Sequence, residues 1–353
     1  MIKNSNSISG EKIFISLSPG ASYAFEKFKI PYKSIRDYGG GEERYQQCLE
    51  NFQICNRIAT ILDKELVHLH HVPTLTPARY SIVYFMPLFG MLWNAIHILK
   101  RIIDTEQPDF IRFYATPQAK SGERIFPFSK EGSVYNEVLN MPGWNVPIEI
   151  IHETEPDIPN QRIMCQKNTL FSRLLAWIKE QDLLFNLGLI GKREGIGSVA
   201  AALYYYVTCW HRNPVLIYNS GYNWDDSLVE LYRGGMVPIH RIKDETFNKS
   251  ISKEKNFHEE VRKVCDNHPG MREFDQVLGI DISAFFFKWI SQIIGRSIQE
   301  SIAVYPLARR IIHKKKIHCL LHSTRNRAVG HVIVQAAHDA GIPVISWQHG
   351  GAG

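Results

Sequence analysis

The chain has 353 residues, of which 44% are hydrophobic, 22% charged and 11% aromatic, a profile that excludes a disulfide-stapled miniprotein, a disordered or collagenous chain and a coiled coil. Lys and Arg number 41 against 35 Asp and Glu, leaving a net charge of +6, too mild an excess to indicate a nucleic-acid binder. The six cysteines form no Cys-x-x-Cys pair and no Cys/His spacing of a structural zinc site, and the start of the chain (MIKNSNSISG) has no apolar secretory stretch, so scattered thiols in a reducing cytoplasm and no metal are expected.

A first strand is predicted over 12–17, running into Ser18-Pro19-Gly20-Ala21. A nicotinamide enzyme would carry Gly-x-Gly-x-x-Gly here, and its absence disfavours a dehydrogenase. A helix over 42–62 and a strand over 66–70 follow. On that strand His68 and His70 would share one face and His71 point away, with no carboxylate in the motif, so a structural role outweighs metal binding. Residues 80–99 (YSIVYFMPLFGMLWNAIHIL) have the length of a membrane span and basic flanks at Arg79, Lys100 and Arg101. However, Pro87 and Gly90 divide the run, Asn94 and His97 interrupt it, and the apolar pattern continues through Ile102 and Ile103. These features favour a buried or interfacial helix over 88–105.

Strands are predicted next over 109–114 and 147–152. The break 154–167, with Pro156 and Pro159, reads as a surface loop before a helix over 170–181. Gly191-Lys192-Arg193-Glu194-Gly195-Ile196-Gly197 lacks the Gly-Lys-Ser/Thr ending of a phosphate-binding loop and reads as a plain loop. A strand over 215–218 leads into the loop 219–226 and a helix over 224–232. Asp225 and Asp226 are placed to cap that helix, while Tyr222, Trp224 or Asp225 would alternatively bind an acceptor sugar. After a strand over 236–241, the charged run 243–268 reads as a solvated connection. It opens an insert over about 243–312 whose second part is a helix over 284–312. Lys314, Lys315 and Lys316 suit a solvated helix end, and three adjacent cations would also suit anionic headgroups of a membrane surface.

The last unit is a complete strand, helix and strand over 317–322, 327–340 and 343–347, followed by Gln348-His349-Gly350-Gly351-Ala352-Gly353. Several strands are apolar runs without alternation, as parallel strands covered on both faces should be. The alternation therefore predicts an α/β protein, a Rossmann-like, doubly wound, mostly parallel sheet whose ligands sit beyond the carboxyl ends of the strands. Ser323, Arg325 and Arg327 follow one such end and could meet a phosphate or carboxylate, although Arg327 equally suits a first helical turn in water. The 348–353 loop follows another. It combines an imidazole able to take a proton near neutral pH, the amide of Gln348, and the backbone of Gly350 and Gly351 that an anion can approach closely.

The run Ala340-Gly341-Ile342-Pro343-Val344 through Trp347-Gln348-His349-Gly350 resembles the end of the N-terminal half of bacterial surface-carbohydrate and capsule-biosynthesis proteins with the GT-B glycosyltransferase fold. Ile103-Asp104-Thr105-Glu106-Gln107-Pro108-Asp109 before a strand is similar to the same proteins. The resemblance implies a cytoplasmic enzyme, possible at the inner face of the plasma membrane as a peripheral protein. It would transfer a sugar from a nucleotide-activated donor to a surface polysaccharide or lipid-linked acceptor, with no cofactor and no metal. By the same likeness His349 would be the catalytic base, and Ser18 and Gly20 would line the acceptor cleft; Gln348, Gly350, Gly351, Ser323, Arg325, Tyr222 and Asp225, in loops that follow strand ends, are the candidate substrate contacts. Residues 1–353 would form the N-terminal, acceptor-side domain, with the donor-binding domain outside them. Two alternatives stay open: a nucleotide-sugar epimerase of the same fold, which would alter the donor without an acceptor, and a non-catalytic glycan- or nucleotide-binding module, which would bind without turnover.

Overall fold

The computed structural model describes residues 11–39, 41–115, 133–152, 213–219, 239–323 and 328–346, with the single residues Ala200, Leu203 and Leu228. In chain order, β1 (Ile15–Ser16) and α1 (Pro19–Lys27) precede β2 (Lys33–Ser34), α2 (Gly41–His70), α3 (Pro77–Tyr80) and α4 (Ile82–Glu106). Then come β3 (Ile111–Ala115), α5 (Ser133–Leu139), β4 (Ile148–His152), β5 (Val215–Tyr218) and β6 (Ile239–Ile242). The helices α6 (Asn248–Ile251) and α7 (His258–Asn267) lead to a hairpin of β7 (Gln276–Val277) and β8 (Ile280–Asp281). The long α8 (Ser283–Lys314), β9 (Cys319–His322), α9 (Ala328–His338) and β10 (Val344–Ser346) complete the set.

Two compact units emerge. The first comprises Met1–Ile61, Tyr84–Pro159 and Val264–Ile290, and the second Leu62–Val83, Asn160–Lys263 and Ser291–Gly353. In the first, β1 pairs with β2 and β3 with β4, both parallel, while β7 and β8 are antiparallel. Its core draws on Cys55, Ile58 and Ala59 of α2, Phe85, Leu88 and Leu92 of α4, and Phe286 of α8, all buried. Phe89 and Phe286 meet with ring centroids 5.1 Å apart, within the range of a favourable tilted aromatic pair.

The second unit is built on a four-stranded, wholly parallel sheet in the order β10-β9-β5-β6. Every residue of β5 (VLIY) is buried, which explains why that strand is an unbroken apolar run: helices cover a parallel sheet on both faces. Leu216, Tyr218 and Leu320 pack with Val329 and Val332 of α9 and with Val304 of α8 in one apolar cluster. The chain is thus a mixed α/β protein with parallel sheets.

Three expectations need correction. Residues 66–70 are the last turns of α2 rather than a strand. The short, largely apolar segment 66–70 belongs to a four-residue spacing that starts earlier in the helix, because Ile58, Leu62, Leu66 and His70 are all buried on one helical face. His68 and His70 consequently do not share a face, as His68 is exposed. Second, α4 starts at Ile82 and runs through Pro87. The carbonyl left without the Pro87 N–H belongs to Val83, a half-exposed residue. Among the described residues α4 is the helix long and apolar enough to cross a membrane, and half of its most apolar stretch is buried in the protein. Third, 243–268 is not simply a solvated connection, because it forms α6 and α7 and buries Phe247, Val261 and Cys265. Val261 and Cys265 are one helical repeat apart and give α7 its narrow apolar stripe.

Candidate functional site

The order of the four-stranded sheet places a switch point between β5 and β9. From β5 the chain proceeds to β6 on one side, and the later strands β9 and β10 lie on the other. In open α/β sheets ligands sit outside the carboxyl ends of the strands at such a point. Tyr218 and His322 pair across this boundary as the last residues of their strands, and both are buried.

The residues just beyond form a polar floor. Ser323 donates its hydroxyl to the Asn219 carbonyl oxygen at 2.5 Å. Asn219 has a φ of 47°, a left-handed conformation that asparagine tolerates better than most side chains. Its backbone N–H donates to the Ile242 carbonyl at 3.2 Å, and its side-chain amide donates to Asp244 Oδ1 at 3.4 Å. The Tyr218 hydroxyl donates to that same carboxylate oxygen. Asp244 opens a 3-10 turn, Asp244–Thr246, directly after β6. A carboxylate, an amide and two hydroxyl-bearing side chains thus converge where β5, β6 and β9 end. Such groups match the hydroxyls of a ligand better than its phosphate, which would meet the negative charge of Asp244.

Of the expected substrate contacts, Ser323 lies on this floor. Tyr222, Asp225, Arg325, Gln348, His349, Gly350 and Gly351, with Arg327, fall outside the described residues, in segments that follow β5, β9 and β10 in sequence. Ser18 and Gly20 belong to the first unit. Ser18 is the N-cap of α1, its Oγ accepting the Ala21 N–H at 3.2 Å, and Gly20 is exposed in the first helical turn. The hydroxyl of Ser18 therefore satisfies a helix terminus. Sequence reasoning missed Tyr218 and Asp244. A polar residue just past an apolar strand is the signal that would have found Asp244, but the charge density around it pointed instead to a solvated run.

Elsewhere in the first unit, Glu106 at the end of α4 accepts Lys33 Nζ at 2.8 and 2.9 Å and the Tyr38 hydroxyl at 2.7 Å. The hydrogen bond from Lys33, then that from Tyr38, holds the Glu106 carboxyl below its usual range, while burial and then Glu106 push the Tyr38 phenol up. Among the described residues no group of three His, Cys, Asp or Glu side chains could hold a metal. No protein-family model, no curated protein and no solved structure matches the chain.

Proposed function

We propose that this chain is the acceptor-side part of a GT-B-like glycosyltransferase of bacterial surface polysaccharide synthesis, with His349 as general base. The observation that supports it is the parallel sheet β10-β9-β5-β6, taken as the Rossmann-like sheet of such a protein, whose last strand ends one residue before Trp347-Gln348-His349-Gly350. Catalytic loops of open α/β sheets follow strand ends in this way. The polar floor of Asn219, Ser323 and Asp244 adds groups that hydrogen-bond sugar hydroxyls.

In this reading the imidazole of His349 takes the proton of an acceptor hydroxyl as that oxygen attacks the anomeric carbon of the donor. The bond from that carbon to the nucleotide's phosphate oxygen breaks, and the nucleotide leaves with the electron pair. Metal-independent transfer of this kind relies on the base and on groups that bind the leaving phosphate. A positioned base contributes roughly 10²–10⁴-fold, so His349→Ala in the full-length protein is expected to lower kcat by at least about 100-fold with the circular dichroism spectrum unchanged. Unaltered turnover removes His349 from the mechanism.

A further inference from the structure

Taken from its other edge, the sheet of the second unit runs β6-β5-β9-β10 and is parallel throughout. Dinucleotide-binding sheets place their second strand in the same way, beside the first and on the side away from the switch point. In them an acidic residue about 20 positions past the turn after the first strand accepts the ribose hydroxyl. Asp244 follows Tyr218, the last residue of β5, by 26 positions and stands just past the end of β6. The chain leaves β5 as Asn219-Ser220-Gly221-Tyr222-Asn223-Trp224, without the Gly-x-Gly-x-x-Gly that brings a pyrophosphate close to the backbone. The second unit thus shares with such sites the carboxylate and its strand, and not the phosphate fingerprint.

We propose that Asp244 is the receptor of a vicinal diol: two adjacent ring hydroxyls donate to its carboxylate at the end of β6, over the floor of Asn219 and Ser323. Such a site rests on the reading of this floor as sugar-binding, but it requires neither transfer nor His349. The diol has two possible sources, the ribose of a nucleotide or the pyranose ring of a glycan.

The surroundings of the carboxylate fit this use. Adjacent ring hydroxyls form a fork of two donors, and a carboxylate, with about four acceptor positions, receives it with both oxygens. The Tyr218 hydroxyl donates to Oδ1, and because Tyr218 is itself buried it restrains the carboxylate from the protein side. The Asn219 amide reaches the same oxygen at 3.4 Å, longer than an ordinary N–H···O bond, and this is the contact that a ligand hydroxyl replaces. The displaced amide then donates to the oxygen of that hydroxyl, which can accept while it donates. Asn219 is held within reach by its backbone, whose N–H donates to the Ile242 carbonyl and whose carbonyl accepts the Ser323 hydroxyl. Asp244, Asn219 and Ser323 are each partly exposed, so solvent, and a ligand in its place, reaches all three.

Binding to the protein, followed by saturation-transfer NMR, tests this with two sets of probes. One set is UMP, CMP, AMP and GMP, each beside its dideoxy counterpart that lacks both ribose hydroxyls. The other is methyl glucoside, galactoside and mannoside, each beside the 3-deoxy counterpart, in which no two free hydroxyls are adjacent. At least one diol probe is expected to bind saturably, with its counterpart weaker by about tenfold or more. Asp244→Asn should weaken the diol probe by a like factor and leave the counterpart unchanged. Binding of the ribose probes alone assigns the site to a nucleotide, and binding of the pyranose probes alone to a glycan. Counterparts that bind as tightly as the diols, an Asp244→Asn protein that binds as tightly as the unaltered one, or no saturable binding in either set overturns the proposal. Should Asp244→Asn fail to fold, the carboxyl carbon resonance of Asp244 in the unaltered protein decides: it should shift with a diol probe and not with its counterpart, and a resonance unmoved by every probe overturns the site. Since binding alone is read, the result is separable from the His349→Ala rate: diol binding without transfer keeps the site and removes the transferase, and transfer without diol binding does the reverse.

Discussion

Glu106 shows how a single carboxylate ties the first unit together. It joins Lys33 of β2 and the Tyr38 hydroxyl to the end of α4, and its lowered pKa means that its contribution is fully present above the unfolded value of 4.5 and is lost as pH falls through the folded value. Glu106→Gln is therefore expected to reduce the urea midpoint at pH 7 and to leave a shallower loss of stability below pH 4.5. Parallel curves for the two proteins across that range would contradict the assignment. Gly295 makes the opposite kind of contribution, through an atom it lacks. A Cβ at this position in α8 would sit 2.5 Å from the His258 nitrogen and 2.8 Å from its Cα, so the helix can approach the start of α7 only with glycine. In an open helix Gly→Ala stabilises by about 1 kcal/mol; here Gly295→Ala is expected to destabilise by about 1–3 kcal/mol, and the sign of the change in urea denaturation decides between the two.

Backbone sterics also shape an element, the β7–β8 hairpin. Its two-residue turn, Leu278-Gly279, has positive φ at both positions, 50° and 78°, the geometry that matches the twist of flanking strands. Gly279 fits, whereas Leu278 pays a steric cost in the left-handed region and leaves its side chain half exposed. Leu278→Asn is expected to stabilise by about 1 kcal/mol, seen as a raised Tm, and a lowered Tm would mean that Leu278 makes contacts outweighing its strain. The short helices after β6 are held by Phe247, which is fully buried; Phe247→Ala should cost about 3–5 kcal/mol, whereas a solvated connection would lose almost nothing.

Elements whose cause is local were legible in the sequence. β5 and β9 announce themselves as apolar runs, VLIY and CLLH, because their burial on both faces leaves no alternation to obscure. The end of α2 was not legible, since LVHLH by itself is a short, largely apolar run, while its burial follows a four-residue period that begins earlier in the helix. The hydrogen bond from the Ala78 N–H to Asp63 is still less readable: it spans fifteen positions, and nothing in either neighbourhood forecasts the pairing. At the switch point Ser323 could be picked out because it follows a strand. Asp244 required knowledge that β6 lies beside β5, which is a tertiary fact.

At the scale of the whole molecule, the parallel sheet of the second unit gives the functional reading its frame. Strands β5, β6 and β9 end together, so Asn219, Ser323 and Asp244 reach one another although they are up to 104 positions apart in the chain. If that floor binds acceptor hydroxyls, Asp244→Asn should raise the acceptor KM more than it lowers kcat, because the carboxylate would hold substrate without taking part in proton transfer. A loss confined to kcat would place Asp244 in the chemistry instead. The glycosyltransferase account itself rests on His349. Its most direct test is the rate of sugar transfer from nucleotide-activated donors, followed against pH for the unaltered protein and for His349→Ala. The account predicts transfer that depends on a group titrating in the histidine range, and loss of both the rate and that titration in the variant. Equal rates and equal pH profiles for the two proteins would contradict it.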